Sequence, residues 1–228
     1  MIIFNNFFIL LFIICAIPIP LKSQQNRGVQ IPTEANISIA NQNIWRGVYQ
    51  AGVSIQPEVN LNYKNWNLQI WGTSDFNAEE KEIDLSIGYN LKNFNIGFTD
   101  YWFGGMTDAY SKDHILENNV TYTFFRFPLS LECHTVLVGC NSSFPVFQRI
   151  SYSPEWHGCE YEFNIGYSPW KNNLLESKGF AFNELSTAVN KEIVLARNLK
   201  LSFSSSLIYN SYADNLFFVC KVGVPLSF

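Results

Sequence analysis

Hydrophobic and polar residues alternate along most of this chain, and the last fourteen residues, Asn215–Phe228, show the pattern most clearly. Every second side chain from Leu216 to Phe228 is apolar or a cysteine, whereas Lys221 and Ser227 fall on the other face. Successive side chains of a β-strand point to opposite faces, so the segment predicts a strand with one apolar and one polar side.

The same two-residue rhythm recurs through the rest of the chain, between short stretches rich in turn-forming residues. It predicts an all-β protein of about twelve strands, each of roughly ten residues, and no helix. The predicted strands are Glu34–Val48, Ser54–Tyr63, Trp66–Asp75, Glu82–Leu91, Phe94–Phe98, Leu116–Phe124, Leu129–Leu137, Val146–Trp156, Cys159–Tyr167, Leu185–Ile193, Leu199–Leu207 and Asn215–Phe228.

The connections between these strands alternate in length. Short ones are predicted at Lys64–Asn65, Lys92–Asn93, Phe125–Pro128, His157–Gly158 and Ala196–Asn198, and longer ones at Phe103–Asp113, Cys140–Pro145 and Pro169–Gly179. Two connections on the loop side, Ala78–Lys81 and Ser211–Asp214, are short and depart from this pattern. An even number of strands with this asymmetry is typical of bacterial outer-membrane barrels. We therefore expect an antiparallel transmembrane β-barrel with short periplasmic turns and longer extracellular loops.

Composition favours a membrane barrel over the alternative, a soluble β-sandwich. Aromatic residues make up 16% of the chain and charged residues only 15%, against about 25% charged residues in ordinary soluble domains. After Pro20 no apolar run approaches the length of a transmembrane helix. Aromatic side chains are expected in two girdles, one near the short turns and one, including Trp45, Tyr101 and Trp170, near the loops.

The N-terminal segment indicates export. Met1–Pro20 is almost wholly apolar and uncharged, and its apolar core has the length of a signal peptide rather than of a spanning helix. We expect residues 1–23 to form a signal peptide and residues 24–228 to form the barrel. An uncleaved inner-membrane anchor is the alternative.

Charge and cysteine spacing exclude several function classes. The net charge is −4, which argues against nucleic acid as a partner. Cys133, Cys140, Cys159 and Cys220 match no zinc or redox spacing, and their pairing stays open. The chain has no glycine-rich phosphate loop, so no nucleotide cofactor is expected. Because the cysteines also lack a zinc spacing, no metal is expected either.

With the apolar face toward lipid, the polar face lines the lumen. The candidate pore-lining residues are Glu58, Asp75, Glu82, Asp84, Glu117, Glu132, His134, Arg149, Glu160, Glu162, Lys200 and Lys221. They permit two interpretations: a narrow aqueous pore that mildly favours cations, or a set of ion pairs that fills the lumen. His134, with Ser130 and Glu132 on the same face, is the strand-borne candidate for catalysis, but it lacks a triad arrangement, and we expect no enzyme.

Several segments, in order and spacing, resemble the TorF-type porin family of bacterial outer-membrane proteins. They are NIWRGV at 43–48, QPEVNLNY at 56–63, WNLQIWGTSDF at 66–76, EIDLSIGYN at 82–90 and GFTDYWF at 97–103. The resemblance implies an outer-membrane barrel that lets small solutes or ions diffuse passively, with membrane lipid and the barrel-assembly machinery as partners. The terminal Phe228 resembles the assembly signal of such barrels. A structural or adhesion platform and, less so, an outer-membrane hydrolase are the alternatives.

Overall fold

The computed structural model describes residues 33–77, 80–103, 114–139, 144–196 and 199–227. Strands occupy most of this part of the chain. Their bounds are β1 Thr33–Ala40, β2 Asn43–Trp45, β3 Val48–Ala51, β4 Ser54–Tyr63, β5 Trp66–Asp75, β6 Lys81–Leu91, β7 Phe94–Phe103, β8 His114–Thr123, β9 Leu129–Val138, β10 Val146–Tyr152, β11 Glu155–Trp156, β12 Cys159–Ser168, β13 Ala181–Ala196, β14 Leu199–Asn210 and β15 Asn215–Ser227. One 3-10 helix, η1, spans Asn173–Leu175.

The wall is a closed antiparallel barrel of twelve strands, which confirms the predicted fold class. Each strand pairs with the next along the chain, and β1 pairs with β15 to close the sheet, with Ile37 opposite Val224. The short strand β11 continues β10 beside β12, so β10 and β11 together make one wall strand. The break between them falls at Ser153–Pro154, where proline removes a ladder donor.

The outer surface of the barrel is apolar. Large hydrophobic side chains of the wall remain open to the surroundings, for example Leu85 at 49% and Phe98 at 44% exposure. Their neighbours Ser86 and Thr99 point inward and lie 2.9 Å apart, oxygen to oxygen. A lipid-facing exterior around a polar lumen is the arrangement of a transmembrane barrel. No helix within the described ranges is long and apolar enough to cross a membrane.

The two edges of the barrel differ as expected. At one edge, two-residue turns at Lys64–Asn65, Lys92–Asn93 and His157–Gly158 join strands, and the first residue of each has a positive φ of 51° to 55°. This left-handed conformation suits the tight hairpin turns that match the twist of the strands. The longer connections lie at the other edge. There, the 169–180 loop folds back on the barrel and buries Leu175.

The prediction of one continuous strand over Glu34–Val48 is wrong in its second half. Its wall portion, β1, ends at Ala40, and β2 and β3 form a separate two-stranded sheet. The side chain of Asn41 binds the backbone of β15, accepting from the Cys220 N–H at 2.8 Å and donating to the Phe218 carbonyl at 2.9 Å. These bonds fix the last point of contact with the wall, and the chain then leaves it.

Aromatic residues gather at the turn edge, where Trp66 and Tyr89 meet edge to face at 4.9 Å between ring centroids. The predicted loop-side girdle is wrong for two residues. Tyr101 is only 8% exposed and points into the lumen. Trp45 lies on β2, and its ring packs against the ring of Tyr101. Cys133, Cys159 and Cys220 are free thiols in the described part of the chain. Cys140, Phe228 and residues 1–23 lie outside the described residues.

Candidate functional site

The β2–β3 hairpin lies inside the barrel and crosses its lumen. Its turn is Arg46–Gly47, both with positive φ (51° and 80°), as a type I′ turn requires, and glycine adopts this conformation without strain. Both turn residues are buried. The hairpin starts beside β1 and contacts strands across the interior, so it narrows the lumen near the loop edge.

Arg46 ties the tip of the hairpin to the opposite wall. Its guanidinium forms two hydrogen bonds with the Glu117 carboxylate on β8, Nη1 to Oε2 and Nη2 to Oε1, each 2.7 Å long. The side chains of this pair are 6% and 0% exposed. Bidentate arginine–carboxylate contacts are among the strongest and most directional in proteins. Burial disfavours the charged guanidinium, but the Glu117 carboxylate outweighs it and raises the pKa of Arg46 above its ordinary value.

Glu117 is also the centre of a wider polar network. Tyr101 donates its hydroxyl to Glu117 Oε1 at 3.0 Å, and His134 Nδ1 lies 2.9 Å from the same oxygen. These partners occupy the lone pairs of a carboxylate that has no access to solvent. A buried charge is tolerated only when it is paired and hydrogen-bonded in this way.

The network continues around the inner wall from β9 to β13. His134 Nε2 lies 3.2 Å from Glu132, and Glu132 meets Arg149 Nη1 at 3.3 Å. Arg149 then reaches Glu184 on β13 with its Nη2 atom at 2.7 Å. A continuous chain of polar contacts therefore runs from the hairpin through Glu117 on β8, His134 and Glu132 on β9 and Arg149 on β10 to Glu184 on β13, and this belt holds the constriction in place.

Gly47 fits the hairpin against β13 and β14. A β-carbon at this position would collide with the backbone carbonyl of Asn183, so the backbone approaches more closely than any other residue type permits. Asn210 donates from its amide to the Gly47 carbonyl at 3.1 Å. Together with the Arg46 contacts, this seats the hairpin tip on both sides of the lumen.

The position of His134 bears on the hydrolase alternative. Both of its ring nitrogens face carboxylates, Glu117 on one side and Glu132 on the other. A general base needs one nitrogen directed at the nucleophile hydroxyl. The nearby Ser151 hydroxyl instead donates to Glu132 at 3.5 Å. His134 is thus part of the charge belt that holds the hairpin.

The remaining predicted residues lie on the inner face at different depths. Glu58 accepts from Asn60 and Gln69 at 2.6 and 2.8 Å, and Glu162 accepts from Asn190 at 2.9 Å. Asp75 is buried at the loop end of β5. At the turn end, Lys200 pairs with Glu192 at 3.2 Å, with both side chains more than half exposed. Residues that line cavities are Glu82, Asp84, Glu160 and Lys221.

Open space remains on the turn side of the hairpin. A cavity of about 670 Å³ lies at the turn-side mouth, bordered by Glu160 and Lys221. A second, of about 360 Å³, is bordered by Asn43 of the hairpin, Glu162 and again Lys221. The lumen is therefore wide and polar toward the turns and narrow at the hairpin.

Three residues of the constriction, Tyr101, Asn183 and Asn210, were not expected to line the lumen from the sequence. Arg46 and Glu184 were expected there as a base and an acid, but the sequence assigned them no contact. The Arg46–Gly47 pair is the sequence feature that could have indicated the hairpin, because glycine within a supposed strand is typical of a turn with positive φ. Asn183 and Asn210 carried none, since polar residues at strand ends are common.

Comparisons with solved structures find the same architecture in membrane proteins of low sequence identity. The KdgM porin superposes with a TM-score of 0.50, over 86% of this chain and 99% of its own, at 12% identity. A protein solved in work on the in-meso crystallization of membrane proteins gives a TM-score of 0.52 over 87% and 84%, at 9% identity. An outer membrane channel from Pseudomonas putida F1 gives 0.47 over 87% and 96%, at 10% identity. No protein-family model and no curated protein matches the chain. What this chain shares with the KdgM porin is the fold, a closed antiparallel barrel.

Proposed function

We propose that this protein is a porin of the bacterial outer membrane, of the TorF type, through which small hydrophilic solutes or ions diffuse passively. The observation that carries the proposal is the wall itself, apolar outside and polar inside, with a hairpin across the lumen that is held by the buried Arg46–Glu117 pair. A wall that only needed to be stable would gain by filling its interior with apolar side chains. A polar lumen with cavities toward one mouth serves the passage of water-soluble molecules.

The charges of the lumen set the expected selectivity. Carboxylates outnumber basic side chains on the inner face, and Arg46 and Arg149 are each held by carboxylates. Toward the turn-side mouth, the open space is bordered by the acids Glu155, Glu160, Glu162 and Glu192 and by two bases, Lys191 and Lys221. An excess of negative charge in a narrow aqueous path raises the local concentration of cations. We therefore expect a weak preference for cations.

Bilayer conductance tests the proposal. The detergent-purified protein, shown to be folded by the different gel mobility of unheated and boiled samples, should give defined conductance steps in planar bilayers. Liposome swelling with sugars of increasing size should show a low size limit. Boiled protein from the same preparation is the matched control. Folded protein that leaves bilayers silent, or that selects anions clearly, contradicts the proposal.

Cell fractionation tests the location separately. The protein should appear with outer-membrane lipid rather than in the periplasm, because its exposed apolar belt requires a bilayer. Recovery of the mature chain in the soluble fraction, without detergent, would refute this location. Specific binding to cell-surface ligands by a chain that does not conduct would favour the adhesion alternative.

A further inference from the structure

A small cavity on one side of the hairpin combines aromatic walls with acidic groups. It measures about 310 Å³ and lies between β2 and the inner faces of β5, β6 and β7. The residues that define its chemistry are Trp45, Trp71, Glu82, Asp84 and Tyr101. Because Asn43 and Trp45 of the hairpin line it, the cavity lies beside the constriction.

Strand register sets the aromatic groups around one carboxyl. Asp84 on β6 pairs directly with Trp71 on β5 and with Tyr101 on β7. Directly opposed side chains on adjacent strands are about 5 Å apart at their β-carbons, so both rings flank Asp84. Trp45 closes the cavity from the hairpin, with its ring centroid 5.6 Å from that of Tyr101.

The acidic groups of this cavity have no cationic partner among the described residues. The ion pairs of the described residues include neither Glu82 nor Asp84. Asp84 Oδ1 is buried and accepts no hydrogen bond from a described residue. Two adjacent carboxylates with no positive partner repel each other, and a proton or a bound cation relieves that repulsion.

Glu82 adds an independent sign of a missing ligand. Its side chain borders the cavity but is only 8% exposed, and it forms no ion pair with a described residue. Arg46, the nearest hairpin cation, does not serve these acids, because both of its terminal nitrogens bind Glu117. Elsewhere in the lumen, buried carboxyls such as Glu184 have basic partners.

We propose that this cavity is a binding subsite for a small organic cation, an ammonium group on a small apolar body. The inference rests on the proposed pore function and names the class of solute that the constriction retains. Aromatic faces attract organic ammonium ions and carboxylates neutralise them, and these are the two groups the cavity presents. Three aromatic rings line the cavity beside its oxygen-bearing side chains. The rings offer an organic ammonium ion a favourable contact that Ca²⁺, which takes a shell of oxygen ligands, does not use.

Choline is the probe, and its neutral isostere 3,3-dimethyl-1-butanol is the matched ligand control. Choline added to wild-type channels in potassium chloride should reduce the current in a saturable way, and the neutral alcohol should not. Asp84→Asn and Trp71→Leu should each weaken this block by about tenfold or more. Glu155→Gln, which removes one negative charge at the turn-side mouth away from the cavity, should leave it unchanged.

The outcomes separate this inference from the proposed function. Channels that conduct, but whose current choline leaves unchanged in wild type and variants alike, overturn the subsite and leave the porin intact. A block weakened equally by Asp84→Asn and Glu155→Gln also overturns it, because it would reflect general charge in the lumen. If the protein does not conduct, choline binding in detergent micelles, read from tryptophan fluorescence of wild type and Asp84→Asn, still decides the subsite.

Discussion

Replacing Arg46 by alanine should release the hairpin and widen the pore. The substitution removes both 2.7 Å contacts with Glu117. It also removes the guanidinium from the rings of Trp45 and Phe147, which lie 4.5 and 4.8 Å from it. The hairpin then keeps the Trp45–Tyr101 contact and the bond from Asn210 to Gly47 as its main attachments.

The size of the effect follows from the burial of the ion pair. Removing one partner of a buried pair costs about 3–5 kcal/mol, much of it from the charge left behind. The lower end applies here, because Glu117 keeps the Tyr101 hydroxyl at 3.0 Å and His134 at 2.9 Å. About 3 kcal/mol shifts the ratio of docked to undocked hairpin by roughly a hundredfold.

Single-channel recording measures this shift. Arg46→Ala should give a larger mean conductance and admit larger sugars in liposome swelling, whereas Arg126→Ala, at an exposed arginine of a turn, should match wild type in both assays. In Arg46→Ala/Glu117→Gln the stranded charge is gone, so thermal stability should recover in part while the conductance stays high. An Arg46→Ala channel with wild-type conductance, size limit and thermal stability would refute the reasoning.

Three further substitutions test the wall, its assembly and the hairpin turn. Leu85→Arg should cost about 2–4 kcal/mol of folding free energy in lipid vesicles, because the side chain at this position meets lipid near mid-bilayer. Ser86→Arg, on the inner face, should cost far less folding free energy, and equal costs would mean the face assignment is wrong. Deletion of Phe228 should reduce the amount of protein recovered in the outer-membrane fraction, and normal insertion of the shortened chain would remove its role as an assembly signal. Gly47→Ala should raise the conductance as Arg46→Ala does, because its β-carbon meets the carbonyl of Asn183; an unchanged conductance would show that the turn tolerates a side chain.

The wall could be predicted from the sequence because the rule that builds it is local. Alternation every second residue needs no knowledge of distant parts of the chain, and lipid outside with water inside applies the same rule to every strand. Ser54–Tyr63 and Trp66–Asp75 were predicted with the bounds that the structure has. The predicted Leu185–Ile193 was too short, since β13 runs from Ala181 to Ala196.

The constriction could not be predicted in the same way because its contacts join distant positions. Arg46 and Glu117 are 71 residues apart, and Asn210 and Gly47 are 163 apart. On a strand, Arg46 would simply be one more lumen base. Only the folded barrel shows that the chain leaves the wall after Asn41 and that a glycine is required where two backbones meet.

The distribution of paired and unpaired charge argues for where function resides in this lumen. A twelve-stranded barrel is intermediate in size between small barrels that side chains fill and large ones that hold a channel. The buried polar groups of a hairpin inside such a barrel need hydrogen-bond partners. Arg46 pairs with Glu117, and Arg149 pairs with Glu132 and Glu184. On β6, beside the hairpin, Glu82 and Asp84 have no such cation among the described residues. The lumen thus pairs the charges that hold the hairpin and leaves these two carboxyls open to a positive ligand from outside the chain, which is the state that the choline experiment tests.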